Sequence, residues 1–354
     1  MLEAFPLLSF NVSPIGDNVS MTKNTETSKP KIGGLFSGVG GIELAFEKSG
    51  FETAWANEID SFACTTYREN FSHELYERDI KKLNGNDLET VDVLCGGFPC
   101  QAFSVAGYRK GFEDDRGNIF FEIIRLVNEL ETKPKVLFLE NVKNFKSHDK
   151  GNTFRTVVQI INDLGYSVFD DVLNTCDYTS IPQNRERTFL ICFRGEHNWN
   201  FSEDSDSMSY RFSELFPPKK ITSNKPISDF LEKEDIPERF YYRSDRYMYE
   251  ELVKAMKSED TVYQWRRMYV RENKSNQCPT LTANMGTGGH NVPLVVTDNG
   301  FRKLTPRECF NFQGFPKSFK LPDQLADSHL YKQAGNSVSV PLITLLAKAI
   351  KQVL

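Results

Sequence analysis

KIGGLFSGVGGIELAFEKSGFETAWANE, residues 31–58, is the stretch on which the fold turns. Ile32-Gly33-Gly34-Leu35-Phe36 is a short apolar run ending among glycines, the pattern of a buried strand. The run 42–49 reads as a helix stopped by Gly50, and 51–56 as a second strand. Between the first strand and the helix lies Phe36-Ser37-Gly38-Val39-Gly40-Gly41. Glycines at such a turn let the backbone come close to a ligand and aim the free N–H groups of the helix at it. By itself the turn is only a tight βα connection. Glu58 adds weight, because it ends the second strand twenty positions after Gly38, where an acid accepts hydrogen bonds from a ribose diol. Asp79 ends the next predicted strand and either caps a turn or adds a third carboxylate. Together these residues predict a nucleoside cofactor without saying which one.

Outward from this unit the alternation continues. Helical spacing covers 61–69, 119–130 and 153–164, and apolar runs at 91–95, 135–139 and 188–193 read as strands. Strands alternating with helices imply βαβ units, a mostly parallel sheet and an α/β, doubly wound, Rossmann-like fold with its ligand at the strand carboxyl ends. The pattern breaks near Gly195, and residues 195 to about 300 are polar and irregular. The run 337–354 is strongly apolar and helical, so it needs a large apolar partner, which the sheet is expected to supply. The expected division is a flexible leader over 1–29, a main domain over 30–194 completed by 325–354, and a smaller domain over 195–324.

At 354 residues the chain fits about two domains of ~150 residues. Its 39% hydrophobic and 26% charged content excludes a mainly disordered chain, a collagen and a coiled coil. The 28 Phe predict an aromatic-rich core. No apolar run reaches the roughly 18 residues that a membrane-spanning helix needs. Residues 1–10 carry Glu3 and no basic stretch, unlike a secretory signal. Seven Cys without a CxxC pair argue for reduced thiols in a cytosol, and against a disulfide framework or a zinc site. A net charge of -5 excludes an overall basic coat, but local charge decides nucleic-acid binding.

Three further clusters carry chemistry. Gly96-Gly97-Phe98-Pro99-Cys100-Gln101-Ala102-Phe103-Ser104 puts a thiol just past a strand end, where Pro sets the chain's approach and glycines clear space for a planar substrate. Cys100 is therefore a candidate nucleophile, whereas Cys64, Cys95, Cys176, Cys192 and Cys309 sit in apolar segments as small core residues. Glu140, in Glu140-Asn141-Val142, is a strand-end carboxyl that burial would turn into an acid, or else a solvated turn. Arg185 and Arg187, in Gln183-Asn184-Arg185-Glu186-Arg187, point to one face of an extended chain and suit a carbonyl, a phosphate or Glu140, or else form a surface ion-pair cluster.

With these motifs in place, the chain resembles the C5-cytosine DNA methyltransferases of bacterial restriction–modification systems, in pattern close to the HhaI type. LFSGVGG (35–41), GGFPCQAFS (96–104), ENV (140–142), QNRER (183–187), KLTPRECFNFQGFP (303–316) and QAGNSV (333–338) stand in the family's order. The resemblance covers 31–194 and about 277 to the end. It implies an S-adenosyl-L-methionine-dependent enzyme that methylates a flipped-out cytosine in duplex DNA. Cys100 would add to C6 of the base, Glu140 would hold N3 and the exocyclic amine, and Arg187 would bind O2. Arg185 would orient Cys100 or Glu140. The cofactor would lie among Phe36, Ser37, Gly38, Val39, Gly41, Glu58, Ile59, Asp79, Ile80, Pro99, Ile119, Asn336, Ser337 and Val338. Glu58 would take the ribose hydroxyls and Asp79 the adenine amine.

The same resemblance makes 195–324 the target-recognition domain. There, Tyr263-Gln264-Trp265-Arg266-Arg267-Met268-Tyr269-Val270-Arg271 interleaves aromatics with arginines able to read guanine edges or grip phosphate. Arg266, Arg267, Arg271, Thr280 and Thr282 are the expected DNA contacts there, joined by Ser104, Arg109 and Arg116 around a lid at 105–117. A monomer is expected, acting in a bacterial or phage-infected cytoplasm on a short palindrome shared with a cognate restriction endonuclease. Two departures stand out. Gly34 replaces the Asp that many relatives carry before Leu-Phe, and Ala106 is small where some relatives place a polar residue that enters the DNA. Competing readings are a tRNA cytosine methyltransferase, a nicotinamide oxidoreductase and a catalytically dead DNA-binding regulator. Against them stand Phe98 before Pro99-Cys100, the missing third glycine of GxGxxG, and the intact Cys100, Glu140 and Arg187.

Overall fold

The structure is a computed structural model that describes residues 28–98, 118–195, 207–233, 236–246, 249–266, 268–273, 275–287 and 291–354. Its strands are β1 Lys31–Leu35, β2 Glu52–Glu58, β3 Glu74–Glu77, β4 Val93–Gly97, β5 Val136–Val142, β6 Tyr166–Asn174, β7 Gln183–Asn184, β8 Glu186–Arg194, β9 Tyr263–Arg266, β10 Tyr269–Glu272, β11 Cys278–Pro279, β12 Leu294–Thr297 and β13 Gly300–Lys303. Its helices are α1 Gly41–Lys48, α2 Ser61–Arg68, α3 Asn118–Glu129, α4 Asn152–Asp163, α5 Thr175–Tyr178, α6 Met208–Ser213, α7 Tyr249–Ala255, α8 Pro306–Phe312, α9 Asp327–Asn336 and α10 Val340–Val353.

One sheet dominates, with strand order β3-β2-β1-β4-β5-β8-β6. β1 to β5 pair in parallel, whereas β8 runs antiparallel to both β5 and β6. The order reverses at β1 and β4, and this switch point opens a crevice beyond the strand carboxyl ends. Alternate residues along each central strand face opposite layers. Val93, Cys95, Val136 and Phe138 enter one apolar cluster with α1 and α10. Leu94, Leu137 and Leu139 enter another, with Ile123, Leu126 and Val127 of α3 and Val157, Val158 and Ile161 of α4. The result is helices on both faces of the sheet, held by the expected aromatic packing, as in Phe46 against Phe51 and Phe138.

Caps explain where several helices begin. Gly40 caps α1 with a φ of 85°, a left-handed conformation that glycine adopts without strain. Asp60 caps α2 by accepting from Phe62 N and Ala63 N. Thr305 and Glu308 form a capping box on α8, with Pro306 in its first turn.

Two expectations change. The apolar run 337–354 is not one helix, because residues 337–339 are extended and α10 starts at Val340. α10 then packs along α1 in the cluster on one face of the sheet, and fully buried Ile343, Leu346 and Ile350 each contribute about 2 kcal/mol by apolar burial. β6 also goes beyond the strands read from sequence. Asp170-Asp171 interrupts its apolar alternation, which an edge strand with half-buried residues tolerates.

A smaller antiparallel sheet, β10-β9-β12-β13, has its own core of Leu252, Met256, Tyr263, Val270 and Leu294. Leu304, Cys309, Phe310, Phe312, Phe315 and Phe319 instead join the cluster that holds α1 and α10. β11 pairs with β7, with Cys278 opposite Gln183 and Pro279 opposite Asn184, which ties the segment after the hairpin to the QNRER strand.

Candidate active site at the strand carboxyl ends

A cavity of about 370 Å³ opens at the switch point, within the size range of small-molecule sites. Phe36, Ser37, Gly38, Val39, Gly41, Glu58, Glu140, Arg185, Arg187, Asn336, Ser337 and Val338 all line it, so residues far apart in sequence meet in one space. Its wall depends on glycine. A side chain at Gly41 would meet Ser337 and Val338, so the C-terminal loop lies directly on the glycine turn.

Glu58 is held rigidly. Its Oε2 accepts from Gly38 N at 2.7 Å, and Oε1 accepts from Ile59 N and Asp60 N, each at 2.8 Å. A carboxylate has about four lone-pair sites, so these three backbone bonds leave acceptor capacity facing the cavity.

Glu140 and Arg187 form the second half of the site. They come from adjacent antiparallel strands, and Arg187 Nε lies 3.0 Å from Glu140 Oε1 with both side chains largely buried. Gly97 clears the space beside them, since a Cβ there would lie 3.3 Å from Glu140 Oε2. A second cavity, lined by Val142, Lys143, Asn144, Asn184, Glu186, Arg187 and Thr280, adjoins this pair.

Arg185 has a different geometry from Arg187. Its fully buried guanidinium donates to the carbonyls of Leu281 (2.9 Å), Gly335 (3.3 Å) and Ser337. Among the described residues its side-chain bonds go to backbone and not to Glu140. Burial, and then the neighbouring Arg187, push its pKa down, while Glu140 pulls it up. The side chain thus clamps the C-terminal loop and the 281–287 segment onto the QNRER strand. Gly335 permits this, because a Cβ there would strike the backbone of Thr282 and Ala283.

Four expected cofactor residues lie outside the lining of the larger cavity: Ile59, Asp79, Ile80 and Ile119. Ile59 is 65% exposed beside Glu58. The Asp79 carboxylate accepts from Lys81 N at 3.0 Å and caps a short turn, the alternative role seen in its sequence position. Pro99, Cys100, Ser104, Arg109, Arg116, Arg267 and the lid at 105–117 lie outside the described residues.

The cavity also includes residues that the sequence did not single out. Lys332 pairs with Asp60 at 2.7 Å, and Gln333 bonds Thr66 and Phe62; all of Asp60, Lys332, Gln333 and Gly335 are in the lining. Gln333 opens the QAGNSV motif, so the motif itself was the available signal. Of the thiols, Cys64, Cys95, Cys176, Cys192, Cys278 and Cys309 are free and buried, and burial pushes Cys64 up to about 12.

The β9–β10 hairpin separates its two faces by strand alternation. Tyr263 and Val270 enter the small core, with Trp265 packed against it. Arg271 sits opposite Gln264, and Tyr269 opposite Arg266, on the other face. Gln264 Oε1 accepts from both Arg271 (2.7 Å) and Arg266 (3.1 Å), and both arginines are exposed. Thr280 Oγ1 donates to Asn184 O at 2.6 Å, and Thr282 is exposed at the start of a short turn.

A parallel sheet with a glycine turn, a strand-end acid and a β8–β6 antiparallel edge defines a methyltransferase-type α/β fold. The crystal structure of the S. pombe Dnmt2 methyltransferase has this fold, with a TM-score of 0.67 at 18% identity over 92% of this chain and 99% of that one. Residues 31–352 match the C-5 cytosine-specific DNA methylase family. Type II methyltransferase M.Bsp6I of Bacillus sp. (strain RFL6) is 53% identical over 90% of this chain and 98% of the relative. Type II methyltransferase M.HhaI of Haemophilus parahaemolyticus is 39% identical over 88% and 91%. The chain belongs to the C-5 cytosine-specific DNA methylases.

Proposed function

We propose that this chain is a type II DNA (cytosine-5)-methyltransferase that uses S-adenosylmethionine to methylate a cytosine flipped out of a short, palindromic duplex site. The observation that carries the reading is that the Glu140–Arg187 pair and the Glu58 glycine turn open into one cavity. The residues present fit the cofactor: a backbone-held carboxylate for its ribose, a glycine turn for close approach, and the unpartnered buried Ser37 Oγ and Glu43 carboxylate beside that turn.

When bound, S-adenosylmethionine supplies an activated methyl group. The remaining steps belong to the chain and the base. C5 of cytosine is a weak nucleophile, so Cys100 adds to C6 as a thiolate and makes C5 electron-rich. Glu140 holds N3 and the exocyclic amine, and Arg187 binds O2 while fixing the Glu140 carboxyl. A base then takes the C5 proton, and the Cys100 thiolate leaves. The target carbon is shielded in a stacked duplex, so the nucleotide must be extruded at a cost of a few kcal/mol.

The 195–324 region acts in this reading as the recognition domain, with the Gln264, Arg266, Tyr269 and Arg271 face of the hairpin toward base edges. A monomer would act in the cytoplasm beside a cognate endonuclease. Among the described residues, no helix is long and apolar enough to cross a membrane.

The test is bisulfite sequencing of DNA from a methylation-deficient host expressing the chain, beside a Cys100→Ser control. Protected cytosines at one short motif, absent in the control, are the expected result. Protection in neither sample overturns the DNA reading, and equal protection in both overturns the covalent mechanism.

A further inference from the structure

Glu43 performs no step of the chemistry above, yet its burial is costly. It lies in the first turn of α1 and is 1% exposed. Among the described residues neither carboxylate oxygen makes a well-formed hydrogen bond, and the buried Ser37 Oγ beside it favours its charged form without making one. A buried carboxylate without partners costs several kcal/mol.

Its position accounts for one departure in the sequence. A Cβ at Gly34 would fall on Glu43 Oε1 and lie 2.7 Å from Ser37 Oγ. The Glu43 carboxyl therefore fills the volume in which a side chain at 34 would begin. This is the position where the family resemblance leads one to expect Asp. An acid reaching in from the helix and an acid on the strand cannot both occupy that volume, which is why residue 34 is glycine here. Ser37 itself lines the cavity, so the carboxyl stands directly behind its wall.

The groups around Glu43 offer it no cation. Among the described residues it forms no ion pair with Lys or Arg, and burial pushes its carboxyl up to about 7. The Ser37 hydroxyl and its own backbone favour the charged form, while Glu47 and Glu58 disfavour it. Tyr67 and Cys95 also face it, and burial first, then Glu43, raises both of them.

We propose that Glu43 is a positioning residue for the cationic methionine end of S-adenosylmethionine, ionising behind Ser37 when that end occupies the cavity and releasing its proton to solvent. The proposal rests on the cofactor reading above. Before binding, the carboxyl is neutral in about half of the molecules near pH 7, which eases the cost of burying it. With a positive charge against the Ser37 wall, the ionised form is the favoured one, so binding and proton release are linked.

The test is calorimetry of S-adenosylmethionine binding to the full chain, without DNA, in buffers of different ionisation enthalpy. The expected result at pH 7 is release of about half a proton, with affinity falling roughly tenfold from pH 7.5 to pH 6. Glu43→Gln keeps the shape and removes the titration, so its binding should be weaker at pH 7.5 and flat with pH. Gly34→Asp alone should weaken binding strongly, and Gly34→Asp combined with Glu43→Ala should restore both affinity and proton release. Buffer-independent binding by the native chain, or a double variant no better than Glu43→Ala, overturns the proposal. The native measurement decides even if a variant fails to fold. No binding by the native chain overturns the cofactor reading instead.

Discussion

Replacing Arg185 separates two roles that its sequence position leaves open. Three backbone carbonyls, of Leu281, Gly335 and Ser337, accept from its guanidinium. Arg185→Met would orphan all three in a buried setting, at about 1–3 kcal/mol each. Relief of the guanidinium's own desolvation offsets part of this loss. The net destabilisation should be about 3 kcal/mol, read from urea unfolding followed by fluorescence of buried Trp55. Gly335 and Ser337 form the cavity wall, so S-adenosylmethionine affinity measured by calorimetry should fall about 10-fold to 100-fold in parallel. Arg185→Lys retains one donor cluster and should lose roughly half as much stability, since an ammonium cannot span three carbonyls as a planar fork does. Unchanged stability and cofactor affinity with turnover abolished would refute the clamp, and would place Arg185 on the reacting groups instead.

Other perturbations test separate parts of the structure. If Glu58 holds the ribose diol as proposed, Glu58→Ala removes two charge-assisted bonds and should raise the cofactor Kd about 100-fold with the fold intact by circular dichroism; an unchanged Kd would remove Glu58 from the cofactor site. Arg302 and Glu308 form a fully buried bidentate pair at 2.7 Å, and Thr305 N and Glu232 N also donate to that carboxylate. Arg302→Leu leaves the anion half satisfied and should cost about 3–5 kcal/mol in urea unfolding, and a loss below ~1 kcal/mol would show that the pair is relieved elsewhere. Arg271→Ala should weaken cognate DNA binding by about 1–3 kcal/mol and relax discrimination at one base pair. Gln264→Ala, which frees both arginines, should relax discrimination without removing charge, as shown by an unchanged salt dependence of binding.

Local signals made much of the site legible. Strand-end glycines, Glu58, Glu140 and Arg187 are recognisable because a βα turn and a strand terminus impose residue types within a few positions. Asp79 carries a more ambiguous local signal. A strand-end acid is equally suited to capping the next turn, and Asp79 does so. Glu43 was hidden for the opposite reason. Its spacing is that of an ordinary acid in a helix's first turn, and only the volume left by Gly34 reveals what it faces.

From the sequence alone come the alternating α/β pattern, the glycine turn with Glu58, and the ordered motifs that mark the family. These follow from short-range periodicity and from chemistry that demands particular side chains. Tertiary structure alone brings Asn336, Ser337 and Val338 onto Gly41, turns Arg185 into a clamp across three segments, and sorts the hairpin into a core face and an arginine face. Those contacts join residues as much as 150 positions or more apart, as Arg185 and Gly335 are. Such contacts depend on how separately formed elements bury their apolar faces against one another, and no window of sequence contains both partners.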